Sequence, residues 1–201
     1  MGSVRHFAGI DVGGPRKGFD VAVLEGSTLV ELLSGQDRAD VATVVEGSVP
    51  VVVGIDSPCA CADPGEKSRP GERALAREVC PIFYTPDEAV VRSGNPFYGW
   101  VVEGLELYGE LGRRCPSSRL VEVFPSAAWT VWAGPRAGRP KAAWSREALA
   151  MAGLTGLPAR MSQDARDAVG AALVARCEGH GSCLDFDGIR VPRAGAVALK
   201  A

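Results

Sequence analysis

The sequence predicts an α/β protein built on a five-stranded mixed sheet, with three antiparallel strands followed by parallel ones and helices flanking the sheet. Three observations lead to this prediction. Turns of only a few residues join the first three strand-like segments, so these strands must be antiparallel neighbours. The later strand-like segments alternate with helical ones, as parallel strands require. Finally, 25 glycines and 14 prolines among 201 residues imply many tight turns and argue against a helical bundle.

The first half of the chain supplies most of the predicted strands. Four short apolar segments have the composition of strands: residues 7–12, 19–25, 28–33 and 51–56. The last of them is a continuous run rich in β-branched side chains, which is typical of a strand buried on both faces. Gly26 and Ser27 form a two-residue hairpin turn between the second and third strands. Asp37 or Asp40 caps the short helix that follows the third strand and ends near residue 46.

The whole chain, residues 1–201, is predicted to form a single domain that an irregular region interrupts. This region, residues 59–98, is rich in proline and is interpreted as an insertion. Within it, Pro70 is expected to start a helix that runs to Val79. A ribbon at about residues 183–200 is expected to close the chain.

The regular elements between the insertion and the ribbon are an amphipathic helix, the fifth strand and two further helices. They are predicted at residues 100–113, 120–125, 146–152 and 163–177. Ser145 and Ser162 are the expected N-caps of the last two helices. Asp187 and Gly188 form the turn of the terminal ribbon.

Charge and hydropathy exclude some classes of protein. A net charge of −2 excludes a protein that coats nucleic acid with a basic surface, but it does not exclude a nuclease, whose metal site carries its own carboxylates. No apolar run is long enough for a membrane helix, and the N-terminus lacks the apolar core of a signal peptide. We therefore expect a soluble, cytoplasmic protein without membrane contact. Its six cysteines are expected to be free thiols that hold no structural zinc.

The informative feature is the position of five carboxylates. Three lie in or at the end of predicted strands and two lie on the last helix: Asp11, Asp56, Glu122, Asp164 and Asp167. The helix pair is three residues apart and therefore shares one helix face. In α/β sheets, ligands gather at the carboxyl ends of strands. Carboxylates that converge there repel one another unless cations join them, and such hard oxygen ligands suit Mg²⁺ or Mn²⁺.

Each acid also has a structural interpretation. An acid in the first turn of a capped helix, such as Asp164, is stabilised by the helix dipole. Asp11 precedes a Gly-Gly pair and Asp56 a Ser-Pro pair, so both could be turn residues. Glu122 lies between apolar residues and could face solvent from an edge strand. The coincidence of all five at strand ends or on one helix favours a site.

Four motifs, in order along the chain, carry a family resemblance. They are residues 9–20, residues 53–58, residues 122–127 and the Asp164–Asp167 stretch with the alanines that follow it. The sequence resembles the predicted RNase H-like nuclease family catalogued as domain-of-unknown-function 429, over nearly its whole length. One departure is Cys59-Ala60-Cys61, where the family tends to have apolar residues and glycine.

The resemblance implies the RNase H-like fold and a metal-dependent nuclease site. Its acidic cluster would be the five carboxylates named above, which would serve as catalytic residues and as ligands of Mg²⁺ or Mn²⁺. Two such ions clamp the attacking and leaving oxygens in phosphodiester hydrolysis. The substrate would be nucleic acid or another phosphodiester.

Several cations and aromatics are candidates for substrate binding. Four basic residues could contact phosphates: Arg16, Lys17, Arg73 and Arg77. The two arginines belong to a stripe that begins at Arg69 and could equally be a solvated face paired with nearby glutamates. The aromatics that could stack on bases are Phe97, Tyr98, Trp100, Trp129, Trp132 and Trp144, and all could instead be core residues.

The expected function is therefore divalent-metal-dependent phosphodiester hydrolysis by a metal-activated water. Two alternatives remain open. Asp11-Val12-Gly13-Gly14 resembles the first phosphate loop of actin- and hexokinase-like phosphotransferases, although 201 residues are few for their two domains. The second alternative is a non-catalytic binding module that retains the fold. The sequence leaves assembly into homo-oligomers open.

Overall fold

The computed structural model describes residues 5–196, which form a single mixed sheet with helices on both faces. The strands are β1 (His6–Val12), β2 (Phe19–Glu25), β3 (Thr28–Gln36), β4 (Val52–Asp56), β5 (Arg119–Val123), β6 (Cys183–Phe186) and β7 (Ile189–Pro192). The helices are α1 (Arg38–Ser48), α2 (Pro70–Glu78), α3 (Glu88–Val91), α4 (Gly99–Arg114), α5 (Pro125–Ala133), α6 (Lys141–Met151) and α7 (Gln163–Gly179), with a 3₁₀ turn at Pro96–Tyr98.

The strand order is β3-β2-β1-β4-β5-β7-β6. β1, β2 and β3 are antiparallel neighbours, whereas β4 and β5 run parallel to β1. This arrangement agrees with the mixed sheet that the sequence predicts. The predicted count of five strands is wrong, because the C-terminal hairpin joins the same sheet through β5 and β7. The hairpin covers an edge of β5 that would otherwise expose unpaired backbone groups.

Two apolar layers sandwich the sheet. On one face, α5, α6 and α7 pack over side chains that include Phe7 and Val52, and α5 contributes Trp129 to this layer. On the other face, α1 and α4 pack over side chains that include Ile10 and Ile55. Alternate residues of β1 and β4 face the two layers, as the period of a strand requires. Within the described residues, no helix is long and apolar enough to span a membrane.

Three helices differ from the sequence prediction. α5 was not predicted: the fifth strand was expected to run to residue 125, whereas Pro125 begins a helix directly after β5. α6 begins at Lys141, and Ser145 is buried within it rather than capping it. Pro140 is instead the N-cap residue of α6. Its backbone carbonyl accepts the N–H groups of residues 143 and 144. The insertion contains α3 in addition to the predicted α2.

Candidate active site

Two glycines allow α7 to pack directly against the backbone of the sheet. Gly9 of β1 and Gly54 of β4 are register partners. A Cβ atom at Gly9 would lie 2.0 Å from the backbone nitrogen of Ala172, and one at Gly54 would lie 2.5 Å from the carbonyl oxygen of Ala171. Any other residue would therefore push the helix away. The close approach brings the first turns of α7 to the carboxyl ends of β1 and β4.

Two residues after each glycine, on the same face, each strand carries an aspartate. Asp11 and Asp56 are register partners in the parallel β1–β4 pair, so their side chains are neighbours beneath α7. Asp20 of β2 lies opposite Asp11 on its other side. Its carboxylate accepts hydrogen bonds from the hydroxyl of Ser34 at 2.8 Å and from the N–H of Gly35 at 3.1 Å. Asp20 was not predicted as a site residue, although its position in the adjacent strand could have indicated it.

The first turns of α7 add two further aspartates. The hydroxyl of Ser162 caps the helix by accepting the N–H of Ala165 at 2.9 Å. This cap fixes the turn that carries Asp164 and Asp167. The buried Asp167 accepts hydrogen bonds through Oδ1 from Trp129 Nε1 at 3.2 Å and from Gln163 Nε2 at 3.0 Å. Its orientation is therefore set by two neutral donors.

Two lysines pair with the helix aspartates. Lys17 Nζ lies 2.6 Å from Asp164 Oδ2, and Lys141 Nζ lies 2.8 Å from Asp167 Oδ2. Hydrogen bonding to Asp164 raises the pKa of Lys17. Burial lowers the pKa of Lys141, but Asp167 and then the charges of Asp56 and Asp11 outweigh this effect, so its pKa is raised. Lys141 was missed because it begins a helix after an irregular loop, and no local pattern connects it to the strand ends.

The two strand aspartates lack such partners. Burial, followed by the negative charges of Asp167 and Asp164, raises the pKa of Asp11 to about 7. Burial and the charges of Asp11 and Asp167 raise the pKa of Asp56 well above its ordinary value. Among the described residues, neither carboxylate accepts a hydrogen bond. Each is thus a half-buried carboxylate that is repelled by its neighbours and has no local donor.

Glu122 is separated from the four predicted aspartates, which are Asp11, Asp56, Asp164 and Asp167. Its register partner in β4 is Ile55, so its side chain lies on the face of the sheet opposite Asp56. There the guanidinium of Arg69 binds it through two hydrogen bonds, of 2.7 and 2.5 Å, and the N–H of Cys59 donates a third of 2.9 Å. The structure therefore does not bring the five predicted acids together: four aspartates lie on one face, and Glu122 belongs to an ion pair on the other.

The predicted phosphate-binding cations also separate into two groups. Arg16 and Lys17 lie in the turn between β1 and β2, where Lys17 contacts Asp164. Arg73 instead donates hydrogen bonds to the carbonyl and hydroxyl of Ser68, and the exposed Arg77 pairs with its neighbour Glu78. No contact between the last two arginines and the four aspartates is found in the described part of the chain.

The donor set is suited to a divalent cation, but only in part. Across residues 5–196, no three Asp, Glu, His or Cys side chains are arranged to hold a metal ion together. Asp11 and Asp56 nevertheless fit one, because they are adjacent hard-oxygen donors that accept no hydrogen bond from any described residue and whose pKa values remain raised despite the charges of Lys17 and Lys141. Mg²⁺ is often held by one or two carboxylates, with waters completing its coordination. Asp164 and Asp167 are engaged by the lysines.

Comparisons with known proteins place the chain in a wider context. A family model described as "Protein of unknown function (DUF429)" matches residues 9–188. No curated protein matches the sequence. The chain is similar to the structure of RuvC from Thermus thermophilus, with 19% identity, a TM-score of 0.48, and 88% of this chain and 96% of that chain covered. It is similar over the same shares to T. thermophilus RuvC in complex with Holliday junction substrate, with 18% identity and a TM-score of 0.48.

Proposed function

We propose that this chain, which belongs to the DUF429 family, hydrolyses phosphodiester bonds with the help of a divalent cation. One observation carries the proposal. Asp11 and Asp56 are adjacent, half-buried carboxylates with raised pKa values, and no donor among the described residues neutralises them. Such an arrangement is unfavourable by itself and becomes favourable when a cation binds.

In this proposal Asp11 and Asp56 hold the ion, which is Mg²⁺ or Mn²⁺. A bound ion of this kind supplies an activated water and stabilises negative charge on the phosphate. The chain itself supplies Lys141, which stays protonated and is aligned by Asp167. Its ammonium can donate to an oxygen of the scissile phosphate as charge develops there. Asp167 is in turn held by the indole of Trp129, so the alignment survives substrate entry.

The turn between β1 and β2 provides contacts for the rest of the substrate. Lys17 is 61% exposed and can exchange its pairing with Asp164 for a phosphate. Arg16 is exposed and makes no ion pair with any described residue. In this proposal both cations hold a phosphate that flanks the scissile one, which suits nucleic acid or another polyanionic phosphodiester.

The test is cleavage of labelled DNA, RNA and a small phosphodiester in Mg²⁺ or Mn²⁺, with and without EDTA. We expect EDTA to abolish cleavage, and Asp11→Asn to lower the rate about 10²–10³-fold while the fold survives. The matched control is Asp63→Asn, an exposed aspartate of the insertion, which should retain full activity.

Equal activity in wild type and Asp11→Asn would contradict the proposal. So would the absence of Mg²⁺ or Mn²⁺ binding in calorimetry. Calorimetric binding of ATP without cleavage of any phosphodiester would instead support the phosphotransferase alternative.

A further inference from the structure

Four aromatic side chains form a cluster at the surface, called here the aromatic platform: Phe83, Phe97, Tyr98 and Trp100. Phe83 is central, with ring centroids 5.1 Å from Phe97 and 6.0 Å from Trp100, both in edge-on geometry. Phe97 and Tyr98 are 5.2 Å apart and nearly perpendicular. Edge-on packing fixes the rings against one another.

Two rings of the aromatic platform are exposed, unlike the tryptophans of the apolar core. Phe97 is 54% exposed and Phe83 41% exposed. Trp129, Trp132 and Trp144, which the sequence offered as equal candidates for base stacking, are all buried in the apolar core. A contiguous patch of exposed rings marks a surface that binds something.

The platform adjoins the aspartate site. Phe83 and Trp100 line the same small cleft as Asp56. Gly99, between Tyr98 and Trp100, packs against Pro15 so closely that a Cβ there would lie 2.9 Å from the proline ring. This contact brings Arg16 to a cleft that Pro96 and Gly99 also line. Arg16, which makes no ion pair with any described residue, therefore lies beside the two residues that flank Phe97 and Tyr98 in the sequence.

We propose that the aromatic platform binds the unpaired bases of a single-stranded nucleic acid, whose backbone phosphate contacts Arg16. The inference rests on the proposed function and narrows its substrate. Aromatic rings stack on any base, but only where the base is free of its duplex partner and neighbours. The adjacent cation complements the phosphate backbone of a nucleic acid. An extended single strand would thus place a phosphate near Asp56 while its neighbouring bases lie on Phe83 and Phe97.

The experiment measures binding in EDTA, where no cleavage can occur, by anisotropy of labelled 20-residue probes. The probes are single-stranded DNA, single-stranded RNA, duplex DNA, and a base-free strand with the same number of phosphates. We expect a single strand with bases to bind about tenfold more tightly than the duplex and the base-free strand. Comparison of the DNA and RNA arms identifies the natural source of the bases.

Two variants assign the effect to the rings. Phe97→Ala should lose about tenfold in affinity for the single strand and nothing for the duplex. Met151→Ala, which truncates an equally exposed apolar residue on α6, should change neither. Circular dichroism verifies that both variants are folded.

Equal affinity for strands with and without bases would overturn the inference, as would unchanged binding by Phe97→Ala. Concentration-dependent dimers that Phe97→Ala abolishes, without binding of any probe, would also overturn it and assign the platform to self-association. Binding as expected without cleavage in Mg²⁺ or Mn²⁺ would refute the proposed hydrolysis and leave the platform standing. Cleavage without preference for unpaired bases would refute binding by the platform and leave the proposed hydrolysis standing.

Discussion

The two faces of the sheet treat buried acids in opposite ways. On the face of the sheet opposite α7, Glu122 and Glu72 share the guanidinium of Arg69. Both glutamates also accept backbone N–H groups, so each negative charge has several partners. Beneath α7, Asp11 and Asp56 have none among the described residues. The comparison shows that a buried acid in a strand indicates a ligand site only when the chain itself leaves it unneutralised.

The largest expected effect comes from removing the guanidinium that pairs with the buried Glu72 and Glu122. Arg69→Ala leaves two buried carboxylates without their cation, and we expect it to lower the free energy of unfolding by about 3–5 kcal/mol. Urea unfolding followed by circular dichroism measures the loss. Arg77→Ala is the control. This exposed arginine lies on α2, the helix that Arg69 caps, and no measurable change in stability is expected. Equal stability of the two variants would show that Glu122 does not depend on Arg69.

The second prediction concerns Asp11, beneath α7, and the pH dependence of stability that its protonation causes. In EDTA, the folded protein keeps a proton on Asp11 up to a pH of about 7, whereas the unfolded chain releases it near pH 4. The folded state thus binds more protons between these values, and its stability falls as the pH rises from about 4 to 7. We expect a loss of about 1–2 kcal/mol after solvent screening of this half-buried group. Urea unfolding at pH 5 and pH 8 measures it, and a wild-type stability that does not fall would contradict it.

Asp11→Asn sharpens this test. The variant has no carboxyl group at that position, so its stability should fall less between pH 5 and pH 8 and should exceed that of wild type at pH 8. A fall as steep as in wild type would assign the pH dependence to other groups.

The smallest effect is the response to the cation itself. At ten times its dissociation constant, Mg²⁺ should stabilise the wild type by about 1.4 kcal/mol. Differential scanning fluorimetry should show a rise in melting temperature that is absent in Asp56→Asn. The control Asp63→Asn should respond as wild type does, and the same rise in all three proteins would indicate non-specific binding.

Local patterns predicted much of this molecule. Strand composition and short turns predicted the antiparallel hairpins and β4, and the Ser162 cap predicted α7. Asp11 and Asp56 were predicted to lie in or at the end of strands, and the structure pairs them in register on β1 and β4. These features depend on neighbours in the sequence, or on two strands that pair in register.

The features that the sequence did not reveal depend on distant parts of the chain. Glu122 lies one register position from the row of aspartates, and both faces of β5 are buried, so alternation of apolar residues could not assign its face. Its partner Arg69 comes 53 positions earlier, in the insertion. The contact between Lys141 and Asp167, like the pairing of β7 with β5, is decided by tertiary packing alone.

The paired glycines have a mechanical consequence. Where a helix usually rests on a sheet through layers of side chains, it can rock as those side chains change rotamer. Gly9 and Gly54 remove that compliant layer, so the main chain of α7 bears directly on the main chains of β1 and β4. Displacing the helix therefore displaces both strands. The four aspartates, two on the strands and two on the helix, move as one rigid unit, and a substrate must adjust to them.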